Sequence, residues 1–216
     1  MVNEHNIHDT EHTKGEHEGR EETHHEHAHA HTHESPEHAE VKRQLDTQRR
    51  LKDKFLLEHP QSPLLPEDRE GFRGANYFPV NLEYKVVATF VPEEHPGIFR
   101  VQTSTGDQKE YKRAGRLQFE IDGQKLSLVA FEPPADEPLH GNRLFVPFRD
   151  KTSSKETYGA GRYLDLNKRP GDQYVLDFNR AYNPYCAYSP YYSCPIPPGE
   201  NTLAVEIRAG EKSFHE

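Results

Sequence analysis

The first 34 residues hold one Val, one Ile and no aromatic side chain. A segment so poor in apolar surface cannot offset the entropy of ordering its backbone, about 1–2 kcal/mol per residue. Residues 1–34 are therefore expected to be a disordered tail, and any fold must be built from the rest of the 216-residue chain. The overall hydrophobic content of 32% fits an ordinary domain diluted by such a tail.

Charge divides the chain at the same place. Residues 1–40 carry eleven acids against Lys14 and Arg20, a net charge of −9 that equals the net charge of the whole protein. Residues 41–216 are therefore neutral as a set. A neutral domain lacks the single-sign field that draws proteins to nucleic acid or anionic lipid, so neither is an expected partner. No run reaches the eighteen or so apolar residues of a spanning helix, and Met1-Val2-Asn3-Glu4-His5 has no cationic n-region or apolar h-region. A cytoplasmic location is expected, in which Cys186 and Cys194 are reduced by default.

Ser35-Pro36-Glu37 supplies a helix cap, a first-turn proline and an acid at the positive helix end. Val41, Leu45, Leu51, Phe55 and Leu56 follow as an apolar stripe, predicting a helix within 35–59 that stops before Pro60. From residue 60 to 216, Pro, Gly and polar turns separate short runs of β-branched and aromatic residues. Leu82, Tyr84, Val86, Ala88 and Phe90 alternate as one face of a strand. Further strands are expected at 98–103, 109–113, 116–121, 125–131, 144–148, 161–166, 173–178 and 202–208, with Asp122-Gly123 as a type I′ hairpin turn. The fold class is mainly β, an antiparallel barrel or sandwich with one N-terminal α-helix and a long aromatic loop.

Eleven of the fifteen histidines lie in the first 38 residues, and His24, His25, His27, His29, His31 and His33 form a cluster. Spacing by two puts alternate imidazoles roughly 7 Å apart on one side of an extended chain. Neutral imidazole ligates zinc, nickel or copper, and the interspersed glutamates add oxygen ligands. The alternatives are a solubilising low-complexity extension and a pH sensor, since protonating all eleven would take residues 1–40 from −9 to +2.

A second set of motifs runs through the last third of the chain: Phe148-Arg149-Asp150-Lys151-Thr152, Glu156 through Asp165, Asp177 through Tyr188, Cys194-Pro195-Ile196-Pro197-Pro198-Gly199-Glu200-Asn201, and Ile207-Arg208-Ala209-Gly210-Glu211-Lys212. Together they resemble the domain-of-unknown-function family numbered 1684. The resemblance is specific over about 145–212, looser over 41–144, and excludes the tail. It implies a soluble prokaryotic protein and brings no activity with it.

The segment from Asp177 to Cys194 abandons strand alternation and places five of the eleven tyrosines within eleven residues. Tyrosine offers rigid area with a polar tip, which suits a ligand pocket and equally a plug closing the end of a barrel. The ligand-site candidates are Arg162, Tyr163, Asp177, Asn179, Tyr182, Asn183 and Cys186, expected to form the wall of the main pocket. Asp177 and Asn179, two apart, would present an acceptor and an amide in one direction; otherwise they hydrogen-bond the backbone around Asn183-Pro184. Cys186 and Cys194 stay open between metal ligands, a redox pair, a nucleophile with a neighbour and two small buried apolar groups. His59, His95, His140 and His215 sit in no nucleophile motif, so enzymatic activity is undecided. The resulting expectation is a domain that binds an unknown small molecule and carries a transition-metal-binding tail. The alternatives are an enzyme acting on a small polar or anionic substrate in the pocket along 162–194, and a metal storage or chaperone protein.

Overall fold

In the computed structural model, which describes residues 35–134 and 141–215, Ser35 caps helix α1 (Pro36–Glu58) by accepting from the His38 amide at 3.1 Å. The six-histidine cluster lies outside the described residues. Helix α1 ends at the cap His59, one residue before Pro60, as the sequence predicts. Its buried face contains Val41, Leu45 and Leu56, but Leu51 is 64% exposed. Helical geometry explains the correction: six residues after Leu45 point roughly 240° around the axis, whereas seven return to within roughly 20°. The inner face therefore includes Lys52 rather than Leu51, with Arg49 beside it.

After a short helix α2 (Pro66–Gly71) and a 3₁₀ turn at Leu82–Tyr84, the chain forms seven strands among the described residues. They are β1 (Lys85–Pro92), β2 (Ile98–Gln102), β3 (Gln108–Ile121), β4 (Gln124–Glu132), β5 (Arg143–Phe148), β6 (Arg162–Asn167) and β7 (Gln173–Asp177). All their pairings are antiparallel, in the order β6-β5-β4-β3-β1-β7 with β2 on β3, which makes a nearly closed barrel. In β1 the expected alternation begins at Val86: Val86, Ala88 and Phe90 face the core while Val87 and Val91 are exposed. Leu82 and Tyr84 belong to the preceding 3₁₀ turn instead.

Two of the expected strands are one. Residues 109–113 and 116–121 join in β3, whose register shifts between Arg113 and Gly115. A Cβ at Gly115 would stand 2.4 Å from the Val91 carbonyl oxygen, so this glycine serves a bulge where strands cross closely rather than a break. The β3–β4 hairpin turns on Asp122 and Gly123, with φ of 51° and 72°, the two positive values of a type I′ turn.

The expected strand at 202–208 is absent. Burial still alternates there, with Leu203, Val205, Ile207 and Ala209 inside, so the segment is extended. It pairs with residues 149–151 through the parallel bridge at Thr202 and a bond from the Lys151 amide to the Val205 carbonyl, and beyond that point the carbonyls of Ile207, Ala209 and Glu211 turn to the Arg162 side chain.

The main core gathers the inward side chains of the sheet with Phe178, Ala181 and that C-terminal segment. A second cluster holds Val101, Tyr111, Val129, Phe131, Phe145 and Tyr163. A third, of Leu56, Leu64, Phe72, Ala187 and Tyr188, ties α1 to the aromatic loop.

Candidate functional site

The open edge of the barrel lies between β6 and β7, and the aromatic loop closes it. After β7 the chain makes a 3₁₀ turn, Phe178–Arg180, and Tyr182 then pairs with Tyr163 of β6 through two backbone hydrogen bonds of 2.9 and 3.1 Å. The Tyr182 hydroxyl donates to Asp165 at 2.7 Å, and the two tyrosine rings meet edge to face. Tyr163 is 6% exposed and donates to the Pro195 carbonyl at 2.5 Å; burial raises its phenol well above the ordinary value, so the proton stays on.

Arg162 is 1% exposed. Its terminal nitrogens donate to the carbonyls of Ile207 (2.8 Å), Ala209 (2.5 Å) and Glu211 (3.1 Å), and to Asp150 at 3.0 Å, while Nε makes no bond. Residues 201–205 run parallel to 149–151, with hydrogen bonds of 2.9, 2.8 and 3.0 Å between their backbones, and beyond them one guanidinium takes up the carbonyls of Ile207, Ala209 and Glu211. Gly210, at φ 77°, lets this segment pass the Phe178 and Ala181 carbonyls, which a Cβ would approach to 2.7 Å. The other Asp150 oxygen accepts from the Thr152 amide and hydroxyl and from the Ile207 amide.

Asp177 and Asn179 do point together, but toward each other and the protein. Asp177 accepts from the Asn179 amide, the Asn179 side chain and Arg180 Nε. Asn179 exchanges two hydrogen bonds with the backbone of Asn81, at 2.9 and 2.8 Å, rather than with the Asn183-Pro184 backbone. Asn183 donates its amide to Glu211 at 2.9 Å and its side chain to the Lys212 carbonyl at 2.7 Å. Glu211, 1% exposed, also accepts from the Tyr188 hydroxyl and from Lys52 at 2.5 Å. Glu211, Lys52, Tyr188 and Asp150 organise this region from outside the seven candidates. Asp150 and Glu211 lie inside the motifs carrying the family resemblance, and Asp and Arg residues near strand ends commonly form structural ion pairs, as Asp150 and Arg162 do here.

A larger opening than the cleft beside the aromatic loop meets the segment 162–194 only at Ala187. A groove of about 720 Å³ is bounded by the turn Ser154–Gly159, by Asn76 and Tyr77, by Ala187 and by Lys212–His215. None of the seven candidate residues lines it. Asn179 and Tyr182 line a cleft of about 90 Å³ instead, with Arg49, Lys52, Arg180 and Glu211.

Cys186 and Cys194 are both free and half-buried. The Cys186 amide donates to Cys194 Sγ at 3.3 Å, and the Tyr158 hydroxyl stands 3.7 Å from Cys186 Sγ. A hydrogen bond from Cys194, together with the Tyr158 and Ser104 hydroxyls, outweighs burial and lowers the Cys186 thiol to about 6. The same pairing, with burial, pushes Cys194 up. Among the described residues no group of three or more His, Cys, Asp and Glu is arranged to hold a metal ion. Nor is any described helix long and apolar enough to cross a membrane.

No curated protein matches the chain. The solution NMR structure of an uncharacterized protein of Haloarcula marismortui is similar to it, with 40% identity, a TM-score of 0.65, and coverage of 83% of this chain and 98% of that one. The profile of a family described as "protein of unknown function (DUF1684)" matches residues 70–212, a span that takes in every strand and both cysteines. The chain belongs to the DUF1684 family.

Proposed function

We propose that the protein is a small-ligand-binding β domain whose N-terminal arm binds zinc, nickel or copper through His24, His25, His27, His29, His31 and His33. The groove at Ser154–Gly159 and Lys212–His215 carries the first half of this reading. Its volume of about 720 Å³ falls within the usual range for small-molecule sites, roughly 300–1,000 Å³. Rings of Tyr77, Tyr158 and Phe214 and the cations Lys155 and Lys212 line it, and its one acid, Glu156, is engaged by Arg208 at 2.8 Å. That composition suits a small flat anion. Benzoate is a suitable probe. Its titration into ¹⁵N-labelled protein is expected to move amide signals of 154–159 and 212–215, and Lys155→Glu with Lys212→Glu to abolish the effect. Shifts scattered over the barrel, or none at millimolar benzoate, would refute the groove.

The arm is tested separately by calorimetric titration of the full chain with Zn²⁺. More than one equivalent is expected at neutral pH, with affinity lost below pH of about 6 as protons compete for the imidazoles. Equal binding by a variant with the six histidines changed to Ala would place the metal elsewhere.

A further inference from the structure

We propose that Cys186 and Cys194 form a reactive dithiol that exchanges with low-molecular-weight disulfides, Cys186 attacking and Cys194 resolving. Neither the groove nor the arm takes part. The basis is the way the fold holds the two sulfurs. Cys186 sits on a 3₁₀ turn, Tyr185–Ala187, and its own amide donates to Cys194 Sγ at 3.3 Å. Cys194 is fixed from the other side by a reciprocal pair with Ser104: its amide donates to Ser104 Oγ at 3.1 Å, and the Ser104 amide donates to its carbonyl at 2.9 Å.

Two cysteines that merely fill space would sit among apolar side chains. Neither belongs to any of the three apolar clusters; the Tyr158 hydroxyl stands 3.7 Å from Cys186 Sγ, and Ser104 holds the Cys194 backbone. Donors near a sulfur stabilise its thiolate, here the Tyr158 hydroxyl at Cys186 and the Cys186 amide at Cys194, and a partly exposed thiolate beside a second thiol is the arrangement disulfide exchange requires. The depressed ionisation of Cys186 and the raised one of Cys194 agree with that division of roles, the pair losing its first proton from Cys186.

The steps balance. The Cys186 thiolate attacks one sulfur of a small disulfide, RSSR, forming Cys186–S–SR and expelling RS⁻, which takes a proton from water. Cys194 then gives up its proton to solvent, its sulfur attacks Cys186 Sγ, and the second RS⁻ leaves and is protonated. The protein loses two electrons and two protons, the small disulfide becomes two thiols, and an intramolecular bond closes the loop from 186 to 194.

The test is made on the full chain, with iodoacetamide and oxidised glutathione as probes. Alkylation of Cys186, followed by peptide mass mapping against pH, is expected to reach half its limiting rate near pH 6, about 2.5 units below an ordinary thiol. Oxidised glutathione at pH 7 is expected to yield the 186–194 crosslink, lighter by two hydrogens, and with Cys194→Ser a glutathione adduct on Cys186. A midpoint at 8.5 or above, labelling of Cys194 first, or no crosslink would overturn the proposal. The wild-type rate profile and crosslink decide the matter even if Cys194→Ser does not fold.

Discussion

Removing the Arg162 side chain tests how far one guanidinium seats the end of the C-terminal segment. Arg162→Ala deletes four hydrogen bonds from a charged donor at a site 1% exposed to solvent. Asp150 would lose its ionic partner, and breaking a buried pair from one side costs about 3–5 kcal/mol. The carbonyls of Ile207, Ala209 and Glu211 would lose their donor at about 1 kcal/mol or more each, unless water enters the vacated space. A loss of about 5 kcal/mol is expected, comparable to the whole stability of a marginal domain. Arg162→Lys keeps the charge but not the fork that reaches four acceptors, so about 2–4 kcal/mol is expected. Arg208→Ala is the control. Its ion pair with Glu156 is exposed, 54% on the arginine side, and should contribute under about 1 kcal/mol. Urea unfolding followed by circular dichroism measures all three, read as midpoint shifts at constant slope. If Arg162→Ala costs no more than Arg208→Ala, the C-terminal segment is held by its buried apolar side chains and the guanidinium is incidental.

Tyr188→Phe removes the hydroxyl that donates to buried Glu211 and should cost about 1–3 kcal/mol by the same unfolding measurement; no change would mean that Lys52 and the Asn183 amide satisfy the carboxylate alone. Leu56→Ala, at a fully buried position of α1, is expected to cost about 2–5 kcal/mol, and Leu51→Ala within about 0.5 kcal/mol of nothing; the reverse order would mean that α1 packs by its other face. Burial raises the Glu200 carboxyl, but bonds from Arg113 and Arg116 outweigh it and hold it below its ordinary 4.5. A carboxyl depressed on folding stabilises the protein above its unfolded value and loses that contribution as pH falls through the folded one. Glu200→Gln should therefore flatten the fall in stability below pH 4.5, and an unaltered acid limb in urea midpoints would refute the triad.

The fold was legible where a rule of local chemistry acts alone. Ser35-Pro36-Glu37 located the start of α1, Asp122-Gly123 gave a hairpin with both φ values positive, and alternation located β1 from Val86 onward. It failed where a distant group decides. Leu51 looked like core because it is apolar, yet the helical angle gives its place to Lys52, whose partner Glu211 is 159 positions away. The gap left between expected strands at 109–113 and 116–121 is a bulge within one strand, set by the close approach of Val91 to Gly115.

The site was legible as a set of residues but not as a geometry. The seven candidates were chosen because Tyr, Asn, Asp, Arg and Cys side chains in a long loop must touch something, and they do: Arg162, Tyr163, Asn179, Tyr182 and Asn183 each bond a distant part of the protein at 3.1 Å or less, and Asp177 bonds its neighbours Asn179 and Arg180. Sequence cannot say whether such a partner is a ligand or a carbonyl from the chain's own far end, because the acceptors on Ile207, Ala209 and Glu211 are backbone atoms that every residue carries. Burial separates the two cases. Arg162, Asp177, Asn179 and Asn183 lie at 1–7% exposure, and their polar groups, Arg162 Nε and Asn183 Oδ1 apart, are engaged within the protein. Cys186 differs from them in remaining partly exposed, its amide bonded to Cys194 Sγ and its own sulfur 3.7 Å from the Tyr158 hydroxyl. The same loop thus divides its work. Its first half spends polar groups on the barrel, and its second half keeps a polarised thiol where solvent can reach it, which is why chemistry is sought at Cys186 rather than at Arg162.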